Sequence, residues 1–201
     1  MISFKQYINE AIALNQVTKT PGQQKVAVFM GRFQPPTKAH LSIIKQIEQH
    51  EHLPVVVAVV RGSKTSQNKS KNPFDFETQK AILRACLNNV KIIQVSTGFI
   101  GEFVDILRRE NKEPVVLYCG SDRLSGYQQQ VNRYKTQLNL NLVVKEIPRT
   151  ETGISATKVR LALKNDDIEA FKKLTDKCEW QFFDLLKNKW RVENNEIDNK
   201  F

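Results

Sequence analysis

The sequence predicts a three-layer α/β domain: a doubly wound, five-stranded parallel sheet with helices on both faces and further helices at its C-terminal end. Three observations predict it. Five short Val/Ile-rich runs alternate with longer stretches of helical period between residues 26 and 147. The runs are near-continuous in Val and Ile rather than apolar at every second residue, as strands covered on both faces are. A chain of 201 residues with 40 % apolar and 26 % charged side chains is long enough for one packed core and too apolar to stay unfolded.

Taken in order, residues 3–14 (SFKQYINEAIAL) place Phe4, Tyr7, Ile8, Ala11 and Ile12 at helical spacing, which predicts a short amphipathic helix. Residues 15–25 (NQVTKTPGQQK) have no period and contain Pro-Gly, so they read as a linker. The domain proper then spans residues 26–190. Strands are expected at 26–30 (VAVFM), 55–60 (VVVAVV), 91–95 (KIIQV), 115–119 (VVLYC) and 142–147 (LVVKEI), with helical patterns near 38–50, 76–88, 101–110 and 123–136. After the fifth strand the chain turns helical to near Trp190, and residues 191–201 (RVENNEIDNKF) form a polar tail. No internal repeat interrupts this order. In such a sheet, ligands bind outside the carboxyl ends of the strands.

Composition excludes several classes. The longest apolar run, Val55 to Val60, is far short of the roughly 20 residues a membrane span needs, and the N-terminus has no apolar secretory core. Three cysteines, Cys86, Cys119 and Cys178, have no paired spacing; they argue against a disulfide framework and for a reducing compartment, the cytoplasm. His50 and His52 lack a third ligand and read as solvated residues at a helix end, so no metal-ligating residue is expected. The net charge of +10 fits either a phosphate-rich partner, nucleic acid or nucleotide, or a solvated basic surface. The aromatic residues sit at apolar-periodic positions without basic interleaving, which disfavours a nucleic-acid stacking platform.

Two segments carry chemistry. The first, GRFQPPTKAH (31–40), follows the first strand directly. Gly31 lets the backbone come close to a ligand, Pro35 and Pro36 stiffen the turn, and Thr37 is the expected N-cap of the next helix. That helix start aims unpaired N–H groups and a positive dipole end at whatever lies over the strand, with His40 and Arg32 in reach of the same anion. The second, GISATKVR (153–160), follows the fifth strand. Ser155 is a good N-cap, and Thr157, Lys158 and Arg160 surround that helix start with a hydroxyl and two cations, Arg160 being able to grip phosphate bidentately. Each alone reads more readily as a solvated helix start, and it is the pair in one small α/β domain that points to phosphate. Neither segment is a dinucleotide fingerprint, since G-x-G-x-x-G is missing, and Gly62-Ser63-Lys64-Thr65 lacks the earlier glycine of a P-loop.

Together these residues resemble the nucleotidylyltransferase (cytidylyltransferase-like) superfamily, whose fold is a Rossmann-like sheet. GRFQPPTKAH resembles its HxGH or TxGH signature, with Thr37 and His40 in the outer positions. GISATKVR resembles ISxTxxR at Ile154, Ser155, Thr157 and Arg160. Gly120-Ser121-Asp122 after the fourth strand resembles the family's G-x-D nucleotide contact. Asn72-Pro73-Phe74, with the GRFQP start, resembles archaeal-type nicotinamide mononucleotide adenylyltransferases. The chain departs from the pattern at Ala39, where the family has glycine, at Thr37, where the nicotinamide branch has histidine, and at Gln79 and Lys80, where relatives usually have an arginine.

The resemblance implies transfer of AMP from ATP to nicotinamide mononucleotide with release of pyrophosphate. The alternatives are CTP or another triphosphate with a different phosphorylated acceptor, or a non-catalytic, capsid-internal protein that binds nucleic acid. It gives His40, Arg160 and Lys158 catalytic roles. Gly31, Arg32, Phe33, Thr37, Gly120, Asp122, Ile154, Ser155 and Thr157 join them in holding the nucleotide. Arg61, Lys64, Asn72 and Phe74 would face the acceptor. Magnesium would be held mainly through the nucleotide phosphates and water. The acceptor, the choice of ATP over CTP and the oligomeric state stay open. The N-terminal segment resembles the capsid-targeting propeptides of T-even-like bacteriophages, with Ile8-Asn9-Glu10 before Ala11 as the cleavage triplet. That implies removal of residues 1–10 and an enzyme of the host cytoplasm that is also packaged in the virion.

Overall fold

A computed structural model of the chain describes residues 22–62, 67–147 and 154–198. The helix expected at 3–14, the triplet ending at Glu10, the candidate acceptor residue Lys64, and Gly153 at the start of the second segment lie outside these described residues.

Five parallel strands form one sheet in the order β3-β2-β1-β4-β5. They are β1 (Gln24–Gly31), β2 (Val55–Val60), β3 (Lys91–Val95), β4 (Lys112–Cys119) and β5 (Val143–Glu146). The helices between them are α1 (Lys38–Glu51), α2 (Phe76–Cys86), α3 (Ile100–Arg109) and α4 (Ser121–Tyr134). After β5 come α5 (Ala156–Lys164), α6 (Ile168–Leu174), a 3-10 helix (Lys177–Phe182) and α7 (Phe183–Asp198). Strand side chains alternate between two cores, as the pleat requires. Val26, Val28, Met30, Ala58, Val95 and Leu117 face α3 and α4, while Ala27, Phe29, Val57, Val59 and Val116 face α1 and α2. Both faces of the central strands are therefore apolar, which is why β1 and β2 read as near-continuous apolar runs.

The chain builds β1, β2 and β3 in one direction and then crosses back to lay β4 on the other side of β1. This reversal opens a crevice at the carboxyl ends of β1 and β4, where doubly wound sheets place their ligands. A third apolar cluster lies off the sheet: Phe74, Ile82, Val159, Leu163, Phe171 and Phe183 join the C-terminal helices to the loop before α2.

Three features depart from the sequence reading. First, β4 begins at Lys112 rather than at 115, because the ladder tolerates Pro114 at a register shift: Val26 pairs Pro114, then Ala27 pairs Val116. Bulges are where strand prolines are accommodated. Second, α7 runs to Asp198, so most of the expected polar tail is helix; RVENNEID contains no proline or glycine to stop it. Third, Cys86 and Cys178 form a disulfide, contrary to the expectation from cysteine spacing. The partners lie 92 residues apart and meet because the end of α2 packs on the 3-10 helix; Cys119 is free and buried.

Candidate active site

The first half of the site is the turn between β1 and α1. Phe33 adopts a left-handed backbone (φ +48°), a conformation that costs a bulky residue about 1–2 kcal/mol and persists only where the surroundings enforce it. Its ring is buried, 5.2 Å from the Phe29 ring and 5.0 Å from the imidazole of His40. A Cβ on Gly31 would stand 3.1 Å from that ring, so the space Gly31 leaves is filled by Phe33 rather than kept free for a ligand. The Gln34–Pro35 bond is cis. Gln34 is buried, and its side-chain amide clasps the main chain of Phe74 from both sides, accepting from Phe74 N (3.0 Å) and donating to Phe74 O (2.8 Å).

Thr37 caps α1 as expected, its hydroxyl accepting from the His40 N–H (3.5 Å) and lying 2.8 Å from His40 Nδ1. The tautomer with its hydrogen on Nε2 lets Nδ1 accept the Thr37 hydroxyl proton and leaves Nε2–H as a donor. Burial among the aromatic rings pushes the His40 pKa down to about 4. The imidazole is therefore neutral at pH 7 and presents an N–H donor held in one orientation.

The second half is the start of α5. The Ser155 hydroxyl accepts from Lys158 N (3.3 Å), closing the cap, while Thr157 and Lys158 are exposed around it. Ile154, just before the cap, is half-buried. Arg160 is half-buried and reaches across to the first loop: its guanidinium donates to Gln34 O (2.5 Å) and to Thr157 Oγ1 (3.1 Å). Burial, reinforced by the nearby charge of Arg32, lowers the Arg160 pKa. Residues 126 positions apart are thus brought into contact over the end of β1, with two guanidinium charges near one another. At the end of the neighbouring β4, Gly120 caps α4 and a Cβ there would meet Asp122 Oδ1 at 2.8 Å, so glycine allows that carboxylate to fold back over the turn. Asp122 is otherwise exposed and pairs only loosely with Arg123, at 3.5 Å.

The residues expected to face an acceptor are placed differently. Phe74 is wholly buried in the C-terminal cluster, and its main-chain N–H and C=O are taken by Gln34 and Arg61. Asn72 is buried and its side-chain amide donates to Asn68 O (3.3 Å). Arg61 is half-buried and donates to Phe74 O. These three hold the loop before α2 against the site, and the apolar environment of Phe74 is what an NPF reading overlooks. Gln34 and Gln79, both buried and both bonded to main chain around the site, were not among the expected site residues. Gln34 lies within the GRFQP start and Gln79 at a departure from the family pattern, but only the fold reveals the main-chain bonds that they make.

A family model described as Cytidylyltransferase-like matches residues 28–162, from β1 into α5 and so across both halves of this site. The chain belongs to the cytidylyltransferase-like family. It is accordingly of nucleotidyltransferase type, a family that binds a nucleoside triphosphate and a phosphorylated acceptor. Among cytidylyltransferase-like relatives, phosphopantetheine adenylyltransferase of Heliobacterium modesticaldum (strain ATCC 51547 / Ice1) is 25 % identical over 134 residues, covering 66 % of this chain and 70 % of that protein. A solved structure, Plasmodium falciparum nicotinic acid mononucleotide adenylyltransferase complexed with APC, superposes with a TM-score of 0.51 at 15 % identity. It covers 87 % of this chain and 98 % of that one, a likeness of fold. Among the described residues no helix is long and apolar enough to cross a membrane.

Proposed function

We propose that this protein transfers AMP from ATP to nicotinamide mononucleotide and releases pyrophosphate. The observation that supports the reading is the contact of Arg160 with Gln34 O, which ties the cationic start of α5 to the loop that leads to a neutral His40. The acceptor's phosphate oxygen attacks the α-phosphorus, an O–P bond forms, and the bond to the β-phosphate oxygen breaks. Such transfers need alignment and charge stabilisation more than covalent help. His40 Nε2–H meets the α-phosphate oxygens as charge shifts, and Thr37 holds the ring. Ser155, Thr157, Lys158 and Arg160 hold the β- and γ-phosphates and stabilise the departing pyrophosphate. The converging side chains are hydroxyls, a neutral imidazole and cations. That set suits a magnesium ion already carried on phosphate oxygens, where it would neutralise charge, and would repel a bare one.

The choice of acceptor rests on the GRFQP start and the NPF triplet. A second reading, adenylyl transfer to phosphopantetheine or another phosphorylated acceptor, is favoured by the Heliobacterium relative. Pyrophosphate release tests both. Purified protein with magnesium is offered ATP or CTP against nicotinamide mononucleotide, nicotinic acid mononucleotide and phosphopantetheine. Turnover with ATP and nicotinamide mononucleotide is expected. Turnover only with phosphopantetheine moves the assignment to the second reading. No turnover, together with DNA binding that falls steeply with salt, would overturn both.

A further inference from the structure

Gln79, on the first turn of α2, is wholly buried, and the motifs give it no task. Its Nε2 donates to two main-chain carbonyls of the first loop, Arg32 O and, at 2.7 Å, Phe33 O. Its Oε1 is buried with no hydrogen-bond partner among the described residues. Reversing the amide would set Oε1 against two carbonyl oxygens, so its sense is fixed. Buried polar atoms in folded proteins are nearly always satisfied; an exception marks a place where something besides stability sets the arrangement.

We infer that Gln79 is the positioning residue of the triphosphate cradle, turning the N–H groups of Phe33 and Gln34 toward the crevice that Thr37 and Arg160 enclose. A trans peptide is planar, and its N–H points opposite to its C=O. By drawing the carbonyls of Arg32 and Phe33 toward α2, Gln79 turns the next two N–H groups the other way, side by side. Neither has a protein acceptor among the described residues, although Phe33 and Gln34 are only 1 % and 4 % exposed. Successive N–H groups on one side of a turn with a left-handed residue form an anion-binding concavity, and Phe33 supplies that left-handed residue. The neighbouring charges of Arg32 and Arg160 repel each other until a polyanion lies between them. This rests on the reading of the crevice as a triphosphate site.

Two measurements test it. On titrating the full-length wild-type protein with tripolyphosphate, the amide proton resonances of Phe33 and Gln34 are expected to shift downfield; if they stay while Lys158 moves, the inference is wrong. By calorimetry, Gln79→Met should weaken ATP and tripolyphosphate by a common factor, on the order of 100-fold, as for the loss of aligned main-chain donors. Gln79→Arg, which again offers paired N–H donors, should recover at least ten-fold of that. A merely structural role would lower the melting temperature and leave both affinities intact, and a loss confined to ATP would place Gln79 under the base or ribose; either result refutes the assignment. A wild-type protein that binds neither ligand defeats the triphosphate reading itself, whereas normal binding by Gln79→Met defeats only the positioning role of Gln79.

Discussion

Removing the imidazole of His40 should damage turnover far more than it weakens binding of the triphosphate. The His40 pKa lies at about 4 against an ordinary 6.5, so holding the ring protonated at pH 7 would require about 4 kcal/mol and only about one molecule in a thousand carries the charge. On the proposed reading, ground-state attraction for ATP would come from Lys158, Arg32 and Arg160, with His40 contributing one oriented N–H. Such a donor, fixed by Thr37 at 2.8 Å, strengthens as negative charge gathers on the α-phosphate. His40→Ala is expected to lower kcat by about 100- to 1,000-fold, as loss of a single oxyanion donor does, while the Kd for ATP changes several-fold at most. Single-turnover pyrophosphate release with independent ATP titration reads both quantities. Equal losses in the two would mean that His40 only binds the ground state. The ring resonances of His40 should also titrate near pH 4 in the free protein; titration near 6.5 would remove the premise. The sign for stability follows. The unfolded chain takes up a proton at this histidine between pH 6.5 and 4 that the folded chain refuses, so stability present above 6.5 is lost as pH falls through that window, by about 3 kcal/mol at most.

Other consequences can be checked separately. The disulfide between Cys86 and Cys178 closes a loop across 92 residues, for which chain entropy gives about 4–5 kcal/mol. Reduction should lower the melting temperature by roughly 10 °C, and an unchanged melt in dithiothreitol would show that the bond constrains little. Phe74→Ala should cost about 3–5 kcal/mol in urea unfolding, since the ring is wholly buried, whereas Phe74→Leu should fold and keep the wild-type KM for the acceptor. A raised KM in Phe74→Leu with undiminished stability would restore the acceptor role that the sequence suggested. For residues 1–10, mass spectrometry of virion contents should find a chain beginning at Ala11; an uncut Met1 terminus there would exclude the propeptide reading.

The sheet was legible because its central strands are buried on both faces: VVVAVV reads as a continuous apolar run and KIIQV as a short Val/Ile-rich one, and they occupy the residues expected of them, Val55–Val60 and Lys91–Val95. The two caps were legible as well, since Thr37 and Ser155 precede periodic helices and carry the side-chain bonds the pattern implies. What stayed hidden depends on contacts across many residues. Phe74 could not be told apart from a ligand contact until the C-terminal helices closed over it. Gly31 suggested an open approach, but the neighbouring Phe33 ring swings back into that space. Cys86 and Cys178 gave no signal, because their pairing follows from how α2 meets the 3-10 helix and not from spacing.

The C-terminal helices are part of the site's scaffold, not an appendage to the sheet. The start of α5 supplies Arg160, and α5 is anchored through Val159, Ala162 and Leu163 to Phe171, Phe183 and Phe74. Phe74 in turn is clasped by Gln34, whose carbonyl receives Arg160. The circuit runs from loop to apolar cluster to helix and back to the loop, so the stretch of α5 that carries Arg160 cannot shift without disturbing a packed core. The disulfide closes a second tie on the same side, from α2, which carries Gln79, to the helical segment before α7. Catalysis by alignment loses heavily when a group is misplaced by about 1 Å. A domain whose two candidate helix starts, at Thr37 and Ser155, lie far apart in the chain needs such cross-ties to hold them in register, and buried glutamines bonded to main chain serve as those ties.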